Sequence, residues 1–198
     1  MLTSNDMIYV ALLRGVNVGG VIVKMADLKK LMEQVGFTDV KTLLASGNVI
    51  FEAGKATSPN GDRPNSPQAS FRGDARRIAK KIEEALKAKY KRDIRCIVRP
   101  AEDIQMLAKA NPFKDSAATK ETRLYVTFLD TQPKSHLKSA SNFFRVTKTF
   151  PFAVCTALVL TPDTSSIDLM ASLEKHYGKD ITTRNWNTVQ KIVTALNT

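Results

Sequence analysis

Between residues 7 and 98 the chain alternates short apolar runs with longer amphipathic stretches, in the order strand, helix, strand, strand, helix, strand. Few folds accept that order. Met7 to Leu13 is apolar throughout and is stopped by Arg14-Gly15, the pattern of a strand buried on both faces. Met25, Leu28, Leu31, Met32 and Val35 then recur at helical spacing until Gly36, which stands where a helix ends. Val40 to Ala45 reads as a second strand. Ser46-Gly47-Asn48 predicts a tight two-residue turn into Val49-Ile50-Phe51, because Gly and Asn tolerate positive φ. Ala75, Ile78, Ala79, Ile82, Ala85 and Leu86 mark a long helix from Asp74 to about Tyr90, and Ile94 to Val98 supplies a fourth strand.

This order is the split β-α-β pattern of ferredoxin-like α+β folds. The second half repeats it more loosely. A short helix around Glu102 to Ala110 precedes Asn111-Pro112-Phe113, and Leu124 to Leu129 alternates as a strand. A weak helix around Ser135 to Ser141 follows, then a hairpin of Phe143 to Val146 with Ala153 to Leu160. A helix through Ile167, Met170, Leu173 and Tyr177, an extended piece at Ile181 to Thr183, and a closing helix through Val189, Ile192, Val193 and Leu196 complete the half. The expected organisation is two ferredoxin-like α+β halves, residues 1–99 and 100–198, with additional helices including a C-terminal one. Residues 54–73, rich in Gly, Pro and Ser and poor in apolar residues, read as a flexible insert.

With 198 residues and 43% hydrophobic content the chain can fill a real core. Lys plus Arg outnumber Asp plus Glu by 30 to 19, a net charge of +11, which points to anionic partners. The longest apolar stretch, Phe152 to Leu160 interrupted only by Thr156, is far short of the roughly 20 residues of a membrane helix. No membrane partner is expected. The opening Met-Leu-Thr-Ser-Asn-Asp lacks the basic region of a cleavable signal, and Cys96 and Cys155 sit singly in apolar runs, as buried thiols of a reducing cytoplasm do.

Three segments carry polar residues in arrangements that attract attention. Arg14-Gly15-Val16-Asn17-Val18-Gly19-Gly20 could aim backbone N–H groups at an anion. It is not a P-loop, since Val21-Ile22 follow Gly20 where Lys and Ser/Thr are needed, and Asn17 stands where a dinucleotide fingerprint needs Gly. A compact loop in which Asn17 bonds its own backbone explains it equally. Because the first and second strands of a split β-α-β unit run parallel, this loop and Ser46-Gly47-Asn48 should leave the same end of the sheet.

Thr182-Thr183-Arg184-Asn185-Trp186-Asn187-Thr188-Val189 holds the only Trp of the chain. Arg184 could pair with a phosphate or carboxylate while Trp186 stacks on a planar group. The simpler reading makes Asn187 and Gln190 a capping box with Trp186 packed before it, which leaves Arg184 and Asn185 unexplained. Between Arg72 and Arg99 stand eleven Lys or Arg against four acids, +7 of the chain's +11. Such a face could follow a nucleic-acid backbone, although a solvated helix surface accounts for it more simply and the aromatic motif of RNA-recognition modules is absent. His136 and His176 have no Cys or acid at metal-ligand spacing, so neither metal nor cofactor is expected, and no nucleophile motif accompanies them.

On the segments Ala11 to Gly20, Met25-Ala26-Asp27-Leu28, Ser46-Gly47-Asn48-Val49, Asn111-Pro112-Phe113 and Thr182 to Val189, the chain resembles the bacterial domain-of-unknown-function 1697 family. The resemblance implies a cytosolic bacterial protein of two ferredoxin-like halves, in a family without an established activity. Two departures stand out: the insert at 54–73 is long, and Ser165-Ser166-Ile167-Asp168-Leu169 replaces a basic Gly-Arg-Ser-Lys-Leu-like segment. A shared anion site would therefore lean on Arg14 and Arg184.

These residues point to a non-catalytic binder of an anionic ligand, with nucleic acid as first candidate. Its site would join Arg14, Gly15, Asn17, Gly19, Gly20, Ser46, Gly47 and Asn48 with Arg184, Asn185 and Trp186. Two alternatives stay open: an enzyme acting on a small phosphorylated or carboxylated metabolite, and motifs that are purely structural.

Overall fold

The computed structural model describes residues 6–17, 22–54, 67–116, 118–133, 135, 137, 143–162 and 165–198. The chain divides into two compact units, Met1–Glu102 and Asp103–Thr198. Each contains a four-stranded antiparallel sheet, and five helices occur among the described residues. The protein is an α+β chain with two ferredoxin-like sheets and a C-terminal helix.

In the first unit β1 (Asp6–Leu13), α1 (Met25–Gln34), β2 (Thr38–Leu43), β3 (Asn48–Gly54), α2 (Pro67–Tyr90) and β4 (Cys96–Pro100) follow in that order. The sheet order is β2-β3-β1-β4, with every neighbouring pair antiparallel. Thus β1 and β2 run parallel with β3 between them, the split arrangement that the element order requires. Strand periodicity sorts β1 cleanly: Tyr9, Ala11 and Leu13 join the helix-facing core with Leu28, Ile82 and Leu86. Val10 and Leu12 on the opposite face are also fully buried, so β1 is covered on both sides. Phe51 is the hub of this core, its ring centroid 6.0 Å from Tyr9 and 4.6 Å from Phe37.

Helix α3 (Ala101–Lys109) spans the boundary between the units. The second unit continues with β5 (Thr122–Leu129), β6 (Phe144–Phe150), β7 (Ala153–Val159), α4 (Ser166–Tyr177), β8 (Ile181–Asn185) and α5 (Trp186–Leu196). Its sheet order, β6-β7-β5-β8, reproduces the first. Leu129, Val154, Leu158 and Ile181 of the sheet form one core with Leu169 and Leu173 of α4. The buried Thr127 and half-buried Thr183, paired across β5 and β8, share a 2.8 Å hydroxyl hydrogen bond that satisfies both.

Several sequence expectations need correction. The turn at 44–47 has four residues, not two: Leu43 pairs with Asn48, and positive φ falls on Leu44 (58°) and Gly47 (72°) rather than on Asn48. Of the flexible insert expected at 54–73, Gly54 ends β3 and residues 67–73 already belong to α2. Pro67 explains the early start, since a first helical position needs no N–H and fits the fixed φ of proline. Residues 55–66 lie outside the described residues, as do His136 and most of the helix expected at Ser135 to Ser141. Strand β6 runs on to Phe150, with a register shift between Val146 and Lys148 that the alternation had concealed. Among the described residues no helix is long and apolar enough to cross a membrane.

The departing segment Ser165 to Leu169 builds the start of α4. Ser165 accepts from the Ile167 N–H at 3.2 Å, and Asp168 accepts from the Ser165 N–H at 2.7 Å and from its hydroxyl at 2.8 Å, a complete capping box. Those hydrogen bonds from Ser165 hold the Asp168 carboxyl below its ordinary range. A lowered folded-state value gives stability that is present above the unfolded carboxyl's pKa and is lost as pH falls through the folded one. Asp168→Asn should therefore lower Tm at neutral pH. Melting curves of parent and variant should converge in acid, once the parent's carboxyl is protonated.

Candidate functional site

The loop after β1 and the turn after β2 meet at one end of the first sheet. The Leu13 N–H donates to the Gly47 carbonyl at 2.8 Å, and the Arg14 N–H donates to the Arg95 carbonyl at 2.8 Å. Arg14 is thus pinned between the 44–47 turn and the lead-in to β4. Asn17, in the left-handed region at φ 57°, ties three segments through one amide. Its Nδ2 donates to the Ala45 carbonyl at 2.5 Å and to the Val23 carbonyl at 3.1 Å, while its Oδ1 accepts from the Val23 N–H at 2.9 Å. Asn48 is fully buried and closes the turn, donating to the Leu43 carbonyl at 2.9 Å and to Ser46 Oγ at 3.0 Å. The polar side chains Asn17 and Asn48 therefore hold backbone in place. Gly19 and Gly20 lie outside the described residues.

Gly47 is where the two segments touch. A Cβ there would stand 2.6 Å from Val16 Cγ2 and 2.9 Å from Leu13 Cβ, in a backbone at φ 72°. Gly15 shares the positive φ, at 68°, but has no atom within 4 Å of its Cβ position.

The basic stretch arrives at the same end, which the linear sequence does not display. Helix α2 leads into β4, whose first residue Cys96 pairs with Leu13, the last residue of β1. Lys89 Nζ donates to the Asp27 carbonyl at 3.2 Å in the first turn of α1, and the Cys96 N–H donates to Glu83 Oε1 at 2.8 Å. Lys87 pairs with Asp93 at 2.8 Å, which raises the lysine's pKa and lowers the aspartate's. Arg95 lies 3.5 Å from Glu83. Lys91 and Arg92, both exposed, make no ion pair among the described residues. Lys24, Lys87, Lys89, Lys91, Arg92 and Arg95 are all exposed, and Arg14 is half-buried.

In the second unit Arg184 lies on β8 opposite Val126 and is only 8% exposed. Its Nη1 donates to Thr182 Oγ1 and to the Thr183 carbonyl, both at 2.9 Å. The cap of the last helix is Asn185, which accepts from the Thr188 N–H at 2.8 Å; the box expected at Asn187 and Gln190 falls inside α5. Strand β8 and helix α5 abut without a loop, which puts the cap two residues before the Asn187–Gln190 spacing. Trp186, the first residue of α5, meets Phe113 edge-on at 5.1 Å. The loop carrying Phe113 is fixed by β6, where Arg145 donates to Ser116 Oγ at 2.6 Å and Lys148 to the Ala110 carbonyl at 3.4 Å. The structure brings residues 14–17 together with 44–48, and 113 together with 186, each within one unit. Residues 14–48 and 184–186 belong to different units.

Among the described residues no three His, Cys, Asp or Glu side chains come together as a metal site. Burial pushes the Cys155 thiol up to about 12, too high for a thiolate nucleophile at neutral pH.

The sequence matches the family described as "Protein of unknown function (DUF1697)" over residues 7–62 and 68–145, more than half of the chain. The chain belongs to this family. The match includes the Arg14, Ser46 to Asn48 and Asn111 to Phe113 segments and stops short of Arg184 to Trp186. Among solved structures the chain is similar to the conserved bacterial protein SP0830 from Streptococcus pneumoniae. The two share 17% identity at a TM-score of 0.61, over 96% of this chain and 99% of that one. At that identity the likeness speaks for the fold. No curated protein matches the chain.

The Gly47 contact gives a graded expectation. Gly47→Ala adds the left-handed penalty of about 1–2 kcal/mol to an overpacking cost of about 1–3 kcal/mol. Gly15→Ala adds only the first. Chemical denaturation should rank them in that order, and equal losses would contradict the close approach at Gly47.

Proposed function

We propose that this protein is a non-catalytic binder of polyanions, nucleic acid first among them, and that the binding surface is the end of the first unit around Arg14 and Arg95. The observation that carries the reading is the hydrogen bond from the Arg14 N–H to the Arg95 carbonyl. It joins the glycine-containing loop to the most basic stretch of the chain. Asn17, Ser46, Gly47 and Asn48 act as the scaffold that fixes the loop, and Gly15 allows its turn. Arg14, Lys24, Lys89, Lys91, Arg92 and Arg95 supply the charge. Arg184, Asn185 and Trp186 have their own partners within the second unit, so they serve that unit's architecture in this reading.

Phosphate neutralisation displaces counterions, so affinity should fall log-linearly with salt. Fluorescence anisotropy of a labelled DNA oligonucleotide, titrated across a salt series, measures it. Lys91→Glu with Arg92→Glu should weaken binding about tenfold or more and reduce the salt slope by about 2. Lys175→Glu with Lys191→Glu changes the net charge equally, on exposed residues of α4 and α5, and should leave affinity within about twofold. Affinity that ignores salt, or equal effects of the two double variants, would overturn the proposal.

A further inference from the structure

Resting on that reading, we propose that the same surface selects unpaired over duplex nucleic acid, through two exposed aliphatic side chains set among its cations. Ile22 is 75% exposed and Leu44 is 42% exposed. They are far apart in sequence, yet each immediately precedes a residue bonded to the Asn17 side chain. The Val23 and Ala45 carbonyls both accept from the single Nδ2 of Asn17, at 3.1 and 2.5 Å. The backbone next to each of the two exposed side chains is therefore held by the same amide, at the same end of the first unit.

Leu44 makes the pair more than scattered surface hydrophobicity. It sits at φ 58°, where a leucine side chain is strained, in a turn that already places Gly47 at φ 72°. Glycine would suit position 44 better on backbone grounds, and an exposed leucine adds little to the core. Backbone strain clusters at functional sites, and Leu44 joins the proposed contact on that ground.

The chemistry of the surroundings selects that partner. Lys24 follows Val23 directly, and Lys89 reaches the first turn of the helix that Lys24 precedes. Apolar tips among cations complement a ligand that offers flat apolar faces beside phosphates. A single strand presents base faces at a lower unstacking cost than a duplex, which hides them and must be unpaired or unstacked at each step before an aliphatic wedge can enter. Two partly exposed aliphatic side chains return too little to open a duplex.

The test compares one labelled DNA strand with the same strand annealed to its complement, at a single salt concentration, by anisotropy. The strand should bind about tenfold more tightly than the duplex. Ile22→Ser and Leu44→Gly should each weaken strand binding about threefold or more while leaving duplex binding unchanged. Leu44→Gly relieves the positive φ, so its Tm should not fall below the parent's. Ile22→Ser, at a largely solvated position, gives an independent reading if it does. Equal affinity for strand and duplex, or parental affinity in both variants, overturns the selectivity while leaving polyanion binding intact. Tighter binding to phosphatidylserine vesicles than to the strand would overturn it in favour of a membrane surface. Loss of salt-dependent binding to both DNA forms would overturn the underlying reading with it.

Discussion

One amide side chain organises the end of the first unit. Asn17 donates to the carbonyls of Val23 and Ala45 and accepts from the Val23 N–H, so three segments separated by up to 28 residues share one hydrogen-bonding group. Each backbone group satisfied this way is one that would otherwise need water or a partner as the loop compacts. Because the left-handed conformation of Asn17 costs less than for most other residues, Asn does locally what neither Ser nor Gln could do at the same reach. The close approach of Gly47 to Leu13 and Val16 completes the joint by packing, where Asn17 completes it by polarity.

The ferredoxin-like order was legible because it depends on features that local sequence records well. A fully apolar Met7 to Leu13, a 3.6-residue stripe through Met25 to Val35 and another through Ala75 to Leu86 leave little choice of element type. The neighbourhood of the 14–17 loop and the 44–48 turn also followed from topology alone, since parallel strands one and two must end on the same side. What stayed hidden depends on context. Leu44 at positive φ has no sequence signal, because no propensity rule places leucine there, and it turned a two-residue turn into four. The early start of α2 was masked by Ser70 and Gly73, residues that weaken a helix without preventing one.

The candidate site was less legible. Conspicuous residues such as Arg184, Asn185 and Trp186 proved to be engaged in a strand, a cap and an aromatic pair, the interactions that make a rare residue type stand out in a sequence. The described α2 cations are exposed, as a solvated face requires, and helical periodicity says nothing of where the helix ends in space. Only the antiparallel pairing of β1 with β4 puts Arg95 against Arg14 and carries the end of α2 to the glycine-containing loop. Nor does spacing in sequence bring the backbone at Val23 and Ala45 to one group; that takes the Asn17 bonds.

In the proposed reading, the charge at the end of α2 serves a partner. Arg77 with Asp74, Lys80 with Glu84, Lys87 with Asp93 and Arg95 with Glu83 pair the four acids between residues 72 and 99, one cation each. Exposed pairs of this kind stabilise a fold little, and the exposed Lys89, Lys91 and Arg92 at and just after the end of α2 add like charge beside them. Of the eleven cations, Arg99 is buried within β4 and Lys81 lies over the Phe37 ring, so the fold itself uses part of the charge. In the proposed reading, a polyanion relieves repulsion among the exposed cations at the end of α2 as it replaces their diffuse counterions. The fold tolerates this because the joint at Asn17 and Gly47 fixes the backbone beneath the charges without using any of them.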